Sequence, residues 1–266
     1  MRSPAPAFDL RAALAREITE ALSQLSNPTM TPKSVHRCRV YIKRARALAR
    51  IGRVCAPGLA TVFNESARAT MRALAHAREG EALAEAAEAA GKKTNKRGAA
   101  ALAVLAQSLA RVYLNIDTPD IQGARVSLKD LLALAQVWPE VSPRQVRRGA
   151  EQIARRARRA RRRSLHCHDP ELLHDWRKRE KDRLYAVELL GDSWPYRRSR
   201  KLSEKLTATL GEVRDMRLLH DRVEAAVLTC GSAKADRRAL HALEQRLEQL
   251  HKCADRLGEK LRRKRA

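Results

Sequence analysis

Leu10, Leu14, Ile18, Leu22 and Leu25 follow one another at three- or four-residue spacing. That is the repeat of one helix face, and it predicts a helix over 8–26. Asn27–Pro32 reads as a turn, and a long helix is expected at 33–54, stopping before Pro57–Gly58. The same pattern predicts helices at 60–79 and 81–90, an exposed loop at GKKTNKRG (91–98), and helices at 99–116 and 127–137 separated by a turn at DTPD. Beyond Pro139 and Pro143 it restarts, giving helices at 143–164, 170–190, 196–210, 212–228 and 233–263, with GDSWP (191–195) as a turn. Alanine and leucine supply much of the apolar content and β-branched residues are sparse, so the expected fold class is all-α.

Charge adds a partner class to this picture. The 266 residues carry 55 Lys+Arg against 30 Asp+Glu, a net charge of +25. Hydrophobic residues make up 44%, enough for a packed core, so the chain is not a disordered basic tail. A charge of this size attracts polyanions over long range. Aromatic residues are only 3%, which disfavours single-stranded nucleic acid, whose bases stack on aromatic platforms. No stretch approaches the ~20 apolar residues of a membrane span, and no apolar signal segment is evident near the start. Five scattered cysteines without a CxxC pair are expected to be reduced thiols in a cytoplasmic protein.

One basic pattern occurs twice. VHRCRVYIKRAR and LHDWRKREKDRL each place arginine at +3 and lysine at +7 from a histidine, and proline at −4. The two sets are Pro32, His36, Arg39, Lys43 and Pro170, His174, Arg177, Lys181, at a constant offset of 138. A second pair, LAHARE (74–79) and LGEVRD (210–215), recurs at an offset of 136. These anchors predict an internal duplication, with one half at 8–138 and the other at 142–262. On a helical wheel His36, Arg39, Lys43 and Arg46 fall within an arc of about 80°, and His174, Arg177 and Lys181 repeat the stripe with Lys178 at its edge. Ten residues of helix cover about 15 Å, room for several successive phosphates of an extended polyanion. Arginine suits that task because its planar fork bonds phosphate oxygens in pairs and stays protonated.

With these residues in view, the chain resembles the CHAD family (conserved histidine α-helical domain). RRARRARRR, PELLHDWRKREKDRLYAVELL and LGEVRD stand in the family's order, and VHRCRVYIKRARALARIGR and LAHARE match in the first half. The resemblance spans about residues 8–262, so residues 1–266 are expected to form a single CHAD domain. It implies two helical-bundle halves related by a pseudo-twofold axis, with a basic groove between them that binds inorganic polyphosphate. The residues it and the stripes nominate are His36, Arg39, Lys43, Arg44, Arg46, Arg78, Arg148, Arg155, Arg158, Arg159, Arg162, His174, Arg177, Lys178, Lys181, Arg183 and Arg214.

Each histidine is read either as a phosphate donor or as a packing residue. In the 143–164 helix, Arg148, Arg155, Arg159 and Arg162 share a face with Arg158 at its border, and the 138 offset maps the four onto Leu10, Glu17, Ala21 and Gln24. That makes the expected site richer in the second half. RRSRK (197–201) extends its rim. HCHD (166–169) with His174 lacks the second ligand pair of a closed zinc site, so no metal site is expected. No P-loop, HExxH, nucleophile elbow or paired-carboxylate motif is present, so no catalytic residue and no cofactor are expected, and the chain is read as a non-enzyme. The expected partner is inorganic polyphosphate, with association to polyphosphate granules. The alternative is a non-specific nucleic-acid-binding protein using the same charge.

Overall fold

The structure is a computed structural model, and it describes residues 8–26, 31–74, 79–113, 119–165, 167, 169–196 and 199–263. Among these residues there is no strand. The helices are α1 (Leu10–Ser26), α2 (Pro32–Gly52), α3 (Pro57–Ala73), α4 (Glu79–Gly91), α5 (Lys96–Tyr113), α6 (Ile121–Gln136), α7 (Pro143–Ser164), α8 (Pro170–Leu190), α9 (Arg200–Glu224) and α10 (Ala233–Arg263). No helix among the described residues is long and apolar enough to cross a membrane.

The starts of these helices follow local chemistry. Thr31 caps α2, its side chain accepting from the Ser34 N–H, and Pro32 supplies the first-turn residue that needs no backbone donor. Ser142 and Gln145 form a reciprocal box at the start of α7, each accepting from the other's backbone N–H, at 3.3 and 2.9 Å. Asp169 accepts from Leu172 N at 2.9 Å to open α8.

Several helices differ from expectation: α3 ends at Ala73 rather than 79, α5 starts at Lys96 inside the loop expected at 91–98, and two others differ further. α6 begins at Ile121 rather than near 127 because Asp120 is its cap, accepting from Gly123 N at 2.8 Å. The helices expected at 196–210 and 212–228 are one continuous helix, α9, running through Gly211. A helix-interior glycine costs about 1 kcal/mol relative to alanine, and the buried neighbours Leu210, Val213 and Met216 outweigh that.

The chain divides into two compact units. Unit 1 comprises Met1–Ala77, Thr118–Arg159 and Arg179–Arg197; unit 2 comprises Arg78–Asp117, Ala160–Lys178 and Arg198–Ala266. In unit 1, α1 packs on α2 and α6, and α3 packs on the same two helices. Leu14, Ile18, Ile42, Leu48, Phe63, Leu131 and Trp138 are fully buried there. Phe63 meets the Trp138 ring edge-on, with centroids 5.8 Å apart. Gly52 lets the indole in: a Cβ at this position would lie 2.5 Å from Trp138 Nε1 and 2.6 Å from Leu10 Cδ2. In unit 2, α5 packs on α4 and α10, and α9 packs on α10 and α4. Leu102, Leu105, Leu206, Met216, Leu219 and Leu243 lie at its centre. Glu212 of α9 ties two neighbours, accepting from Arg246 Nη2 at 2.6 Å and Lys93 Nζ at 3.2 Å.

Along α2 and α8, residues 138 apart share burial: Val35, Cys38, Ile42, Ala45 and Leu48 are buried, as are Leu173, Trp176, Glu180, Arg183 and Ala186. Along α1 and α7 they do not. Leu10, Glu17 and Ala21 are buried where Arg148, Arg155 and Arg159 are exposed. There an offset of 136 pairs like with like, matching buried Leu10, Leu14, Glu17, Ile18 and Ala21 to buried Val146, Ala150, Ile153, Ala154 and Ala157. The positions matching Arg148, Arg155, Arg159 and Arg162 are then Ala12, Thr19, Ser23 and Ser26, all exposed.

Candidate functional site

Unit 1 gathers arginines around one carboxylate. The α2 stripe of His36, Arg39, Lys43 and Arg46 runs on at the same spacing through Arg50 and Arg53. His36 is exposed, while Arg39 and Lys43 are half-buried. Arg39 Nη1 donates to the Leu74 carbonyl at 2.7 Å, placing a cation at the C-terminal end of α3, where the helix dipole favours it. Deeper along α2, burial pushes the Arg46 guanidinium down to about 10, and Arg50, Arg68 and Arg179 add to the push while Asp182 opposes it. Arg50 is shifted down by burial as well, with Arg179 and Arg68 adding and Asp182 opposing. Its Nη1 lies 3.1 Å from Asp182 Oδ1. Arg156 of α7 is also held below the usual arginine range, first by burial and then by Arg53, Arg179 and Arg50. Arg46, Arg50, Arg53, Arg68, Arg156 and Arg179 therefore share one field, with Asp182 the carboxylate that relieves it. Burial is the larger cause in each case, and the like-charged neighbours that add to it are what an anion would relieve.

Unit 2 holds the second concentration of charge. Burial lowers the His174 pKa, and Lys178, Arg214 and Arg177 lower it further, against Glu171. Leu173, Leu210 and Val213 help line a cavity of about 250 Å³ together with His174, Arg214 and Arg217 and the carboxylates of Glu171 and Asp221. Arg177 lies along the buried Gly211 of LGEVRD, where a Cβ would come 3.6 Å from its Nε and Nη2. Arg214 Nη1 is 3.5 Å from Asp215 Oδ1; both groups are partly exposed, so the pair is weak and the guanidinium stays accessible.

The remaining nominated residues fall in several places. Lys181, in unit 1, sits with Nζ 5.5 Å from the Tyr185 ring centroid. Arg183 is 4% exposed, and its Nε donates at 3.0 Å to Glu180, itself 1% exposed. This guanidinium neutralises a buried carboxylate one helical turn away and does not face solvent. Arg44 is likewise committed: Nε bonds Glu17 at 2.7 Å and Nη1 bonds Glu188 at 3.2 Å. The Glu17 hydrogen bond raises its pKa. Arg148, Arg155, Arg159 and Arg162 are exposed, and Arg158 is half-buried. On the α7 wheel those four span about 60°, roughly opposite Ala150, Ile153 and Ala157. They form the solvent face, whereas Arg156 flanks the core. Arg78 and the Arg197–Arg198 part of RRSRK lie outside the described residues, as do His166 and His168 of HCHD.

The residues missed in the sequence are Arg50, Arg53, Arg68, Arg156 and Arg179. For Arg50 and Arg53 the signal was present, since they continue the α2 stripe. Arg156 was hidden among the exposed arginines of its own helix, Arg68 belongs to no repeated motif, and Arg179, inside LHDWRKREKDRL, has Tyr41 at its counterpart.

The CHAD domain profile matches residues 10–224. A crystal structure of the CHAD domain from the plant Ricinus communis resembles the chain in fold, with a TM-score of 0.59 at 18% identity, covering 94% of this chain and 89% of that one. No curated protein matches the chain. A profile that runs from α1 to the end of α9, together with a fold shared over nearly the whole length, makes this chain a member of the CHAD domain family.

Proposed function

We propose that this chain binds inorganic polyphosphate without acting on it chemically, and that its two halves descend from one duplicated unit. The observation that carries the reading is the arginine cluster of unit 1, where Arg46, Arg50 and Arg156 are all depressed by burial and by their cationic neighbours, with Asp182 alone among the named influences opposing the shift. A chain of phosphates supplies closely spaced negative charge, and guanidinium forks engage its oxygens in pairs. Arg214 and Arg217, which line the unit 2 cavity with His174 beside Glu171 and Asp221, offer phosphates a second and weaker place to bind. Binding of this kind is electrostatic and weakens steeply with salt, by the counterion-release argument worked out for nucleic acids. Bound polyphosphate would recruit the protein to polyphosphate granules.

The test is a competition. Labelled polyphosphate is bound at physiological salt and challenged with an equal number of phosphate equivalents of duplex DNA. Retention of polyphosphate is expected. Efficient displacement by DNA would favour a general polyanion binder and overturn selectivity. Release of inorganic phosphate from polyphosphate and Mg²⁺ would overturn the non-catalytic assignment.

A further inference from the structure

On this strongly basic chain, one group of carboxylates surrounds a buried imidazole. His220, in the last turns of α9, is 8% exposed. Its Nδ1 is buried without a hydrogen-bond partner. That atom lies 3.5 Å from Asp221 Oδ1 and 3.6 Å from Glu224 Oε2. One ligand atom from each of the three residues falls within 4.8 Å of the others. On the opposite edge of the ring, Nε2 is 3.5 Å from Glu244 Oε1 of α10.

We propose that His220, Asp221 and Glu224 form a site for a divalent first-row transition ion of the Zn²⁺ type. A buried ring nitrogen left unpaired costs about 1–3 kcal/mol, and a cation on that nitrogen removes the cost. With metal–ligand bonds of about 2.0–2.2 Å, neighbouring ligands of a tetrahedral ion stand about 3.3–3.5 Å apart. The separations of 3.5 and 3.6 Å from Nδ1 to the two carboxylates already approach that edge. Glu244 occupies the place of an outer carboxylate. By drawing the ring proton to Nε2 it leaves the Nδ1 lone pair for the metal, the arrangement that orients metal-bound histidines elsewhere. The imidazole nitrogen selects against Mg²⁺ and Ca²⁺, which take oxygen ligands. Arg217 Nε, 3.9 Å from Asp221 Oδ1, is a competing cation, but three carboxylates face this histidine. All four residues belong to unit 2. The site stands on its own and does not rest on polyphosphate binding, although Asp221 also lines the cavity that holds His174 and Arg214.

The experiment titrates the full chain with Zn²⁺ alone by calorimetry, in a Cys167→Ser background that removes the exposed thiol. The variant is Asp221→Asn with Glu224→Gln. Both side chains are more than half exposed, so folding should be kept. One-to-one binding is expected in the parent, with affinity at least tenfold lower in the variant. In the parent, the ¹⁵N resonance of His220 Nδ1 should move on adding Zn²⁺. Absence of a one-to-one site, a loss smaller than threefold in the variant, or movement of Nε2 in place of Nδ1 overturns the proposal.

Discussion

Replacing Asp182 by asparagine should weaken the folded protein and strengthen its grip on polyphosphate. The carboxylate lies 3.1 Å from Arg50 Nη1 and 3.8 Å from Arg179 Nη1. The Arg50 and Asp182 side chains are only 15% and 17% exposed. At charge separations of about 4 Å and an effective dielectric near 20, the Arg50 attraction alone is about 4 kcal/mol before desolvation. Removing one partner of a mostly buried pair costs about 3 kcal/mol net, because the other charge stays buried. For a chain of this size that corresponds to a melting temperature lower by roughly 6–12 °C. Arg46 and Arg156 lose the same opposing charge, so the deficit is shared across the cluster. A bound phosphate chain would restore the missing negative charge. If it did so fully, affinity would rise by as much as about 100-fold, the equivalent of the lost stability; at least fivefold is expected. Thermal melts with and without polyphosphate, together with direct titration, measure both arms. A melting temperature unchanged within about 1 °C, or equal stabilisation of parent and variant by polyphosphate, would refute the reasoning.

Two further outcomes are expected. His174 is held below its ordinary value of 6.5 by burial and by Lys178, Arg214 and Arg177. The folded state thus prefers it neutral, and its contribution to stability is present above that value and is lost as pH falls below it. Bound phosphate reverses the preference, so affinity should rise as pH falls below that ordinary value, with proton uptake, and calorimetry in buffers of different ionisation heat should show His174→Gln abolishing that uptake. Gly52→Ala should cost about 1–3 kcal/mol by overpacking against Trp138, whereas Gly58→Ala, with nothing within 4 Å, should be neutral or stabilising. Paired denaturant titrations check the contrast, and equal stability of the two variants would show that the close approach at Gly52 relaxes freely.

The helices were legible because apolar spacing and side-chain caps are local, and Thr31, Ser142 and Asp169 mark starts that the sequence displays openly. Gly211 was misread as a break because tertiary burial decides whether a helix survives a glycine. The stripe on α2 was legible as a face, and Arg50 and Arg53 continue it. What a wheel cannot tell alone is which way a face points. Arg148, Arg155, Arg159 and Arg162 share a face, but Ala150, Ile153 and Ala157 on the same helix turn it to solvent. Arg44 and Arg183 looked like ligand residues and prove to be counter-ions, because Glu17 and Glu180 are buried beside them. Nothing local marks Asp182 as a partner, because its ion pair with Arg50 is a contact 132 residues away in sequence.

The family match ends at residue 224, yet the hydrophobic interior of unit 2 does not. α10 brings Leu243, Leu250, Ala254, Leu257 and Leu261 against the same cluster that holds Leu206, Leu210 and Met216. Its Gly258 fits beneath Trp176, whose ring carbons would lie 3.0–3.1 Å from a Cβ there. The segment that defines kinship is therefore shorter than the segment that folds. A chain cut at residue 224 would keep every nominated polyphosphate-binding residue and lose the surface that keeps α9 dry. It would be expected to collect in inclusion bodies, and recombinant work on this chain has to be framed by its core rather than by its family boundary.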